Sequence, residues 1–204
     1  MAQYFRIHPI NPQERLVAQA ARILEQGGVI VYPTDTTYGL GCLMSNRKGV
    51  DRILRIKRLP ATHQLSIICA DLSHISRFAR YNNQIYRLLK RFLPGPYTFV
   101  LEATRDVPKK ILPKRKTIGL RIPDHPVCLE LMRHLNEPIL STSFRLPDAP
   151  ILSDPELIRD QANSLVDLIV DSGQCPEVPS TIVNLTSGYP EILREGAGDP
   201  SVFQ

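Results

Sequence analysis

The feature that most constrains this chain is an apolar, β-branched run that stops at a proline. Gly28-Val29-Ile30-Val31-Tyr32 suits a buried strand, because β-branched and aromatic side chains fit a pleated surface. Pro33 cannot donate to a sheet ladder, so the strand ends there. The loop that follows, Thr34-Asp35-Thr36-Thr37-Tyr38, carries three hydroxyls, a carboxylate and a phenol, and leads into Gly39-Leu40-Gly41-Cys42. Hydroxyls and backbone N–H groups at a strand exit can cradle a small polar ligand, and glycine lets that ligand approach the backbone. The same residue types also make ordinary polar turns that cap the next element. The loop alone is compatible with both.

Elements of two periodicities alternate along the rest of the chain. Tyr4–Ile7 reads as a first strand, and Asn11-Pro12 as the opening of a helix carrying Leu16, Ala20, Ile23 and Leu24 up to Gly27-Gly28. Ser45 or Asn46 caps a second helix with Val50, Ile53 and Leu54 inward, and Pro60 ends it near Arg58. A strand at Leu65–Ala70 precedes helices at Leu72–Phe78 and Gln84–Phe92. Leu93-Pro94-Gly95-Pro96 is a strong break, followed by strands at Tyr97–Leu101 and Thr117–Ile122. Pro126–Leu135 is helical, Ile139–Ser143 is a strand, and Ser153-Asp154-Pro155-Glu156 is a capping-box pattern. Short strands at Asp167–Val170, Thr181–Leu185 and Glu191–Arg194 complete the set. With no internal repeat and no linker, this pattern predicts one α/β domain over residues 1–204 with a mixed sheet.

Composition narrows the classes. The chain has 204 residues, 43% hydrophobic and 22% charged, which is enough for a sizeable core and unlike a disordered chain. No apolar run approaches the roughly 20 residues that span a bilayer, and the N-terminus lacks the apolar region of a signal peptide. A cytoplasmic location is therefore expected. Cys42, Cys69, Cys128 and Cys175 include no CxxC pair, and the five histidines show no metal-ligand spacing, so no metal site built from side chains is expected. The net charge of +5 favours anionic partners such as nucleotides or RNA. Part of it sits in a cluster at Lys109, Lys110, Lys114, Arg115 and Lys116, which suits a solvated loop or an RNA clamp.

The chain holds no nucleophile elbow, HExxH, Walker A loop or GxGxxG. Polar groups instead gather at strand ends: Thr34–Tyr38, Lys57-Arg58, Thr117…Arg121, Ser141-Thr142-Ser143, Ser180-Thr181 and Arg194-Glu195-Gly196. In an α/β sheet such ends converge on one crevice. Hydroxyls with two or three separated cations suit a phosphate-bearing ligand plus a small zwitterion. Lys57-Arg58 would equally suit a solvated helix end, where cations complement the helix dipole.

The order of these blocks resembles the YrdC/YciO-like family, and the opening Phe5-Arg6-Ile7-His8-Pro9 most resembles its YciO branch. The similarity runs over nearly the whole chain. It covers the Pro33–Cys42 entry, Lys57…Pro60…Leu65, Leu93–Thr98, Thr117–Pro126, Ser141–Ser143, Ser180–Val183 and Leu193–Gly196. The resemblance implies a twisted open sheet around a large, positively charged cavity. It also implies synthesis of threonylcarbamoyladenylate from threonine, bicarbonate and ATP for tRNA modification, with Mg²⁺ accompanying the nucleotide. By resemblance, Thr36, Arg121, Ser141 and Ser180 hold threonine and its carbamate, while Lys57, Thr117, Ser143 and Arg194 hold the nucleotide. Lys57 and Arg121 would be the catalytic pair. Two departures stand out. Where the synthases carry Lys-x-Arg-Pro, this chain has Lys57-Arg58-Leu59-Pro60, and where they carry Ser-x-Asn it has Ser143-Phe144-Arg145. Arg58 and Arg145 are then the cations that could restore nucleotide contacts. On a continuing helix, Arg58 would point about 100° away from the position next to it. The resemblance also leaves room for carbamoyl transfer to another amine, or for binding of double-stranded, ribosomal or transfer RNA without turnover.

Overall fold

The computed structural model describes residues 1–108 and 116–203. The chain opens with β1 (Gln3–Arg6) and α1 (Glu14–Glu25), whose Val17, Ala20, Ala21 and Leu24 form a buried stripe. Helix α1 ends at a glycine. Gly27 sits at φ +90°, its N–H donates to the Leu24 carbonyl, and the Gly28 N–H donates to the Ile23 carbonyl, each at 2.9 Å. This crossed pair is a Schellman motif, whose left-handed position favours glycine. The chain then enters β2 (Ile30–Tyr32), fully buried as the apolar run predicts.

After the Pro33 loop come β3 (Gly39–Leu43), α2 (Arg47–Ile56), β4 (Ser66–Ile68), α3 (Leu72–Phe78), β5 (Ala79–Arg80) and α4 (Asn83–Phe92). The second half adds β6 (Tyr97–Ala103), β7 (Thr117–Arg121), α5 (Pro126–His134), β8 (Ile139–Ser143), α6 (Pro155–Ala162), β9 (Leu168–Asp171), β10 (Thr181–Asn184) and β11 (Glu191–Arg194). The strands form one mixed sheet in the order β1-β9-β2-β3-β8-β4-β7-β6-β10-β11, with β5 beside the end of β6. This is the single α/β domain the alternating pattern predicts.

The two faces of the sheet differ. Leu40, Leu140, Ile67, Leu120, Phe99 and Val183 point to one face, where they pack with Ile53, Ile75, Leu89 and Ile158 from the helices. On the other face α1 and α5 cover only the end containing Ile30, Tyr32, Ile139, Leu168 and Val170. Beyond β8 that second face carries small or polar residues interrupted by the apolar Val100 and Ile182. Gly41 pairs with Ser141 and Ser141 with Ser66; farther along, Gly119 pairs with Val100, Val100 with Asn184 and Asn184 with Glu191. A helix needs a continuous apolar stripe to bury against, and the polar residues break it. The face stays open there, and that opening positions the site.

Local differences from expectation have physical causes. Gln13, not Asn11, precedes α1, and its side chain makes no cap bond. Asp154 caps α6 by accepting from the Glu156 N–H, while Ser153 Oγ turns away to Glu177. Strand β3 was not anticipated, because two glycines within five buried residues read as loop. Asn46, one of the two candidates, caps α2 through the Gly49 N–H at 2.9 Å. Of the basic cluster only Lys116 is among the described residues; Lys109–Arg115 lie outside them. No helix among the described residues is long and apolar enough to cross a membrane.

Candidate functional site

A cavity of about 830 Å³ lies over the open face of the sheet. Its first wall is the loop between β2 and β3. Thr34 Oγ1 donates to the Thr37 carbonyl at 2.6 Å and accepts from the Thr36 N–H at 3.1 Å, which folds the loop inward. Asp35 and Thr36 then meet Arg121 at the end of β7. Arg121 Nη1 donates to Thr36 Oγ1 at 2.8 Å, and Nη2 forms an ion pair with Asp35 Oδ1. Arg121 is only 7% exposed, so this pairing is what makes its burial tolerable. Asp35 Oδ2 and Arg121 Nε have no partner among the described residues, so the pair is not fully satisfied. Beside it Tyr32 Oη donates to Ser141 Oγ at 2.7 Å, and Ser141 Oγ donates onward to the Leu40 carbonyl. Burial pushes the Tyr32 phenol well above its ordinary pKa, so it remains a donor.

The opposite wall is built where β10 begins. Ser180 Oγ and Thr98 Oγ1 share a hydrogen bond of 2.8 Å. The Ser180 carbonyl accepts from both Nε and Nη2 of Arg194, at 3.1 and 2.6 Å. Arg194 is drawn below its ordinary pKa by desolvation and then by the Arg121 charge, although an arginine stays protonated. Gly196 is needed for this approach, because a Cβ there would lie 2.2 Å from the Pro179 carbonyl oxygen.

The third side is the end of α2. Lys57 is its C-cap residue, and Lys57 Nζ donates to the Ser143 carbonyl at 2.9 Å. Burial, helped by the Arg145 charge, draws the Lys57 ammonium down to about 8. His63, in the loop that lines the mouth, is lowered by burial and then by Lys57. Past Lys57 the helix is over. Arg58 sits at φ +49°, its N–H donates to the Arg55 carbonyl, and the Leu59 N–H donates to the Leu54 carbonyl. The rotation of a continuing helix therefore does not govern Arg58.

Of the anticipated residues, Arg121, Ser141, Ser180, Thr117, Ser143 and Arg194 line the cavity. Thr36 does not. It is fully buried behind Arg121 and acts on the cavity through that side chain. Lys57 does not line the cavity either; its Nζ is tied to the carbonyl of the lining residue Ser143. Arg58 is exposed and is not among the lining residues. Arg145 is exposed as well, and its Nε is spent on the Ala149 carbonyl at 2.9 Å. Sequence reasoning missed Ser66, Thr98, Asn184 and Glu191. Their polar side chains at alternate positions of otherwise apolar strands were the available signal. Among the described residues no group of three or more His, Cys, Asp or Glu side chains could hold a metal ion.

Fold and site together define an α/β domain with a polar cavity over the open face of its sheet, lined by Arg121 and Arg194. Residues 22–196 match the Sua5/YciO/YrdC family, described as "Telomere recombination", and the chain belongs to that family. It is 50% identical to an uncharacterised protein of Haemophilus influenzae over the whole of both chains. It is 46% identical to YciO of Escherichia coli, again over the whole of both chains, and that protein's crystal structure superposes with a TM-score of 0.95. A threonylcarbamoyl-AMP synthase of Pyrococcus abyssi is 31% identical over 92% of this chain and 57% of its own length. The structure of P. abyssi Sua5 complexed with L-threonine gives a TM-score of 0.87 at 29% identity, covering 96% of this chain and 57% of that one.

Proposed function

We propose that this protein is a nucleotide-dependent enzyme of threonylcarbamoyl-AMP synthase type. The observation that carries the reading is the buried Arg121. It is held by Asp35 and Thr36 in a cavity whose other walls bring Ser180 and Arg194, with Lys57 tied to the lining residue Ser143. A fixed, always-charged guanidinium among hydroxyls suits the carboxylate or carbamate of an amino acid. The relatives support the choice of amino acid, since a family member was solved with L-threonine.

The chemistry asks little of a general base. The threonine amine takes carbon from bicarbonate and releases water, which yields a carbamate. A carbamate oxygen then attacks the α-phosphorus of ATP; one P–O bond forms, and the bond to pyrophosphate breaks. The carbamate is already an anionic nucleophile, so the protein's work is placement and charge stabilisation. Arg121 orients the amino acid, with Ser141 and Ser180 beside it. Lys57, Thr117, Ser143 and Arg194 face the phosphates and ribose. Mg²⁺ would arrive on the phosphates, since the described residues supply no metal cluster of their own.

The test is incubation with ATP, Mg²⁺, threonine and labelled bicarbonate. The expected products are the threonylcarbamoyl adenylate and pyrophosphate, with turnover at least tenfold lower in Lys57→Ala, because a charge-assisted contact to phosphate is lost. No product above the Lys57→Ala level would overturn the reading.

A further inference from the structure

Strands β10 and β11 pair through an irregularity. Ile182 pairs with Arg194 but Val183 with Ile192, so Leu193 is the extra residue of a β-bulge. In a regular strand neighbouring side chains point to opposite faces, and Leu193 and Arg194 could not share one. The bulge lets both line the cavity, while Ile192 packs against the core on the other side. Leu193 is 53% exposed, and it joins Val100 and Ile182 among the lining residues to form an apolar shelf.

The rim of that shelf is polar and lopsided. Asn184 Nδ2 donates to Glu191 Oε2 at 2.9 Å. Asn184 Oδ1 accepts from Thr186 through both its N–H, at 3.2 Å, and its hydroxyl, at 2.8 Å. The Asn184 acceptor and the Thr186 proton are thus occupied. Glu191 Oε1 has no hydrogen-bond partner among the described residues. A carboxylate accepts and never donates. The corner therefore suits a flat apolar ligand that brings an N–H donor at its edge and repels one that brings a carbonyl.

Resting on the nucleotidyl-transfer reading above, we propose that Val100, Ile182 and Leu193 seat the purine ring of the nucleotide and that Glu191 selects it by its exocyclic amino group. Asn184 is the positioning residue that holds the carboxylate. Register fits the placement: the corner lies two residues along β10 from Ile182, roughly 7 Å from the level of Arg194. The cation and the base-reading group thus fall on the same side of the cavity, at successive levels.

The experiment compares binding of ATP and inosine triphosphate by calorimetry, without threonine or bicarbonate. Inosine carries a carbonyl where adenosine carries the amino group. The intact protein should bind ATP about tenfold more tightly, since a hydrogen bond to a charged acceptor is exchanged for a repulsion. In Glu191→Gln the amide can donate as well as accept, and the preference should shrink to about threefold or less. Leu193→Ala should weaken both nucleotides equally while keeping their ratio. A ratio within twofold for the intact protein overturns the proposal, and so does a ratio that survives Glu191→Gln. Adenylate formation without base discrimination overturns this inference and leaves the reaction standing. Discrimination without adenylate formation does the reverse, and binding of neither nucleotide overturns both.

Discussion

Arg121, which lines the cavity, and Lys57, which does not line it but is tied to the lining residue Ser143, are held in opposite ways. Arg121 is buried and fixed by two side chains from the β2–β3 loop. Lys57 is only partly buried, is tied to a single carbonyl, and is drawn down to about 8. The first arrangement costs desolvation at folding and little at binding, because its geometry is already set. The second leaves a cation that titrates at about 8 and is held by one hydrogen bond. An amino acid recognised by one carboxylate geometry suits the rigid wall. A substrate whose phosphates shift during transfer suits the loose one.

The largest expected effect breaks the rigid wall. Asp35→Ala strands the Arg121 charge in a buried site, and breaking one side of a buried pair typically costs about 3 kcal/mol or more. Urea denaturation should show that loss together with abolished threonine binding. Replacing both partners, as Asp35→Ala with Arg121→Met, should recover most of the stability and none of the binding. A loss below about 1 kcal/mol in Asp35→Ala would mean that the pair is well hydrated and the contrast between the walls is false.

Thr36→Val is the next step down. It keeps the shape and removes the hydrogen bond from Arg121 together with the weaker one shared with Thr34 Oγ1 at 3.2 Å, which predicts a cost of about 2 kcal/mol and a fall in threonine affinity from the loss at Arg121. Thr34→Val tests a different contact, because Thr34 lines the cavity while Thr36 stands behind Arg121. Here the sequence led only part of the way. The Pro33–Tyr38 loop was legible as a candidate wall only beside the other polar strand ends, because its own residues suit an ordinary turn equally well. That Thr36 reaches the ligand only through Arg121 was not legible, because a contact between residues 85 positions apart leaves no mark on local pattern. For the same reason Asp35 passed as one loop carboxylate among polar neighbours. Elements with strong β-branched or capping signals, such as the strand at Ile30–Tyr32 and the start of α2, where Asn46 was one of two candidate caps, were read from local chemistry alone. Leu193 and Glu191 escaped notice because a bulge resets the two-residue alternation on which strand reading depends.

The loose wall should reveal itself through pH. Lys57 is drawn below its ordinary value, so its charge is present below about pH 8 and lost as pH rises through that value. If only the charged form holds the phosphates, the apparent nucleotide affinity should fall about tenfold between pH 7 and pH 9. Lys57→Arg stays charged throughout and should flatten the profile over that range. Threonine binding at the Arg121 wall should be level over the same interval once the ligand's own amine is corrected for. An equal decline at both walls would remove the distinction drawn between them.

The smallest effect concerns how the loose wall is anchored. Helices α1 and α2 end with the same crossed hydrogen bonds, but α1 places Gly27 at the left-handed position and α2 places Arg58 there, at φ +49°. A side chain in that region costs on the order of 1 kcal/mol, and glycine relieves it at a smaller cost in unfolded-state entropy. Arg58→Gly should therefore stabilise the fold by about 0.5 kcal/mol, measurable as a higher urea midpoint at unchanged slope. The ligand readout decides why the strain is there. Arg58 is exposed and outside the lining residues, so the rigid-wall ligand should be untouched. Nucleotide affinity that falls as stability rises would show Arg58 folding back onto the phosphates, beside Lys57. Unchanged affinity would confine the loose wall to Lys57 and its neighbours, with Arg58 serving only to end the helix.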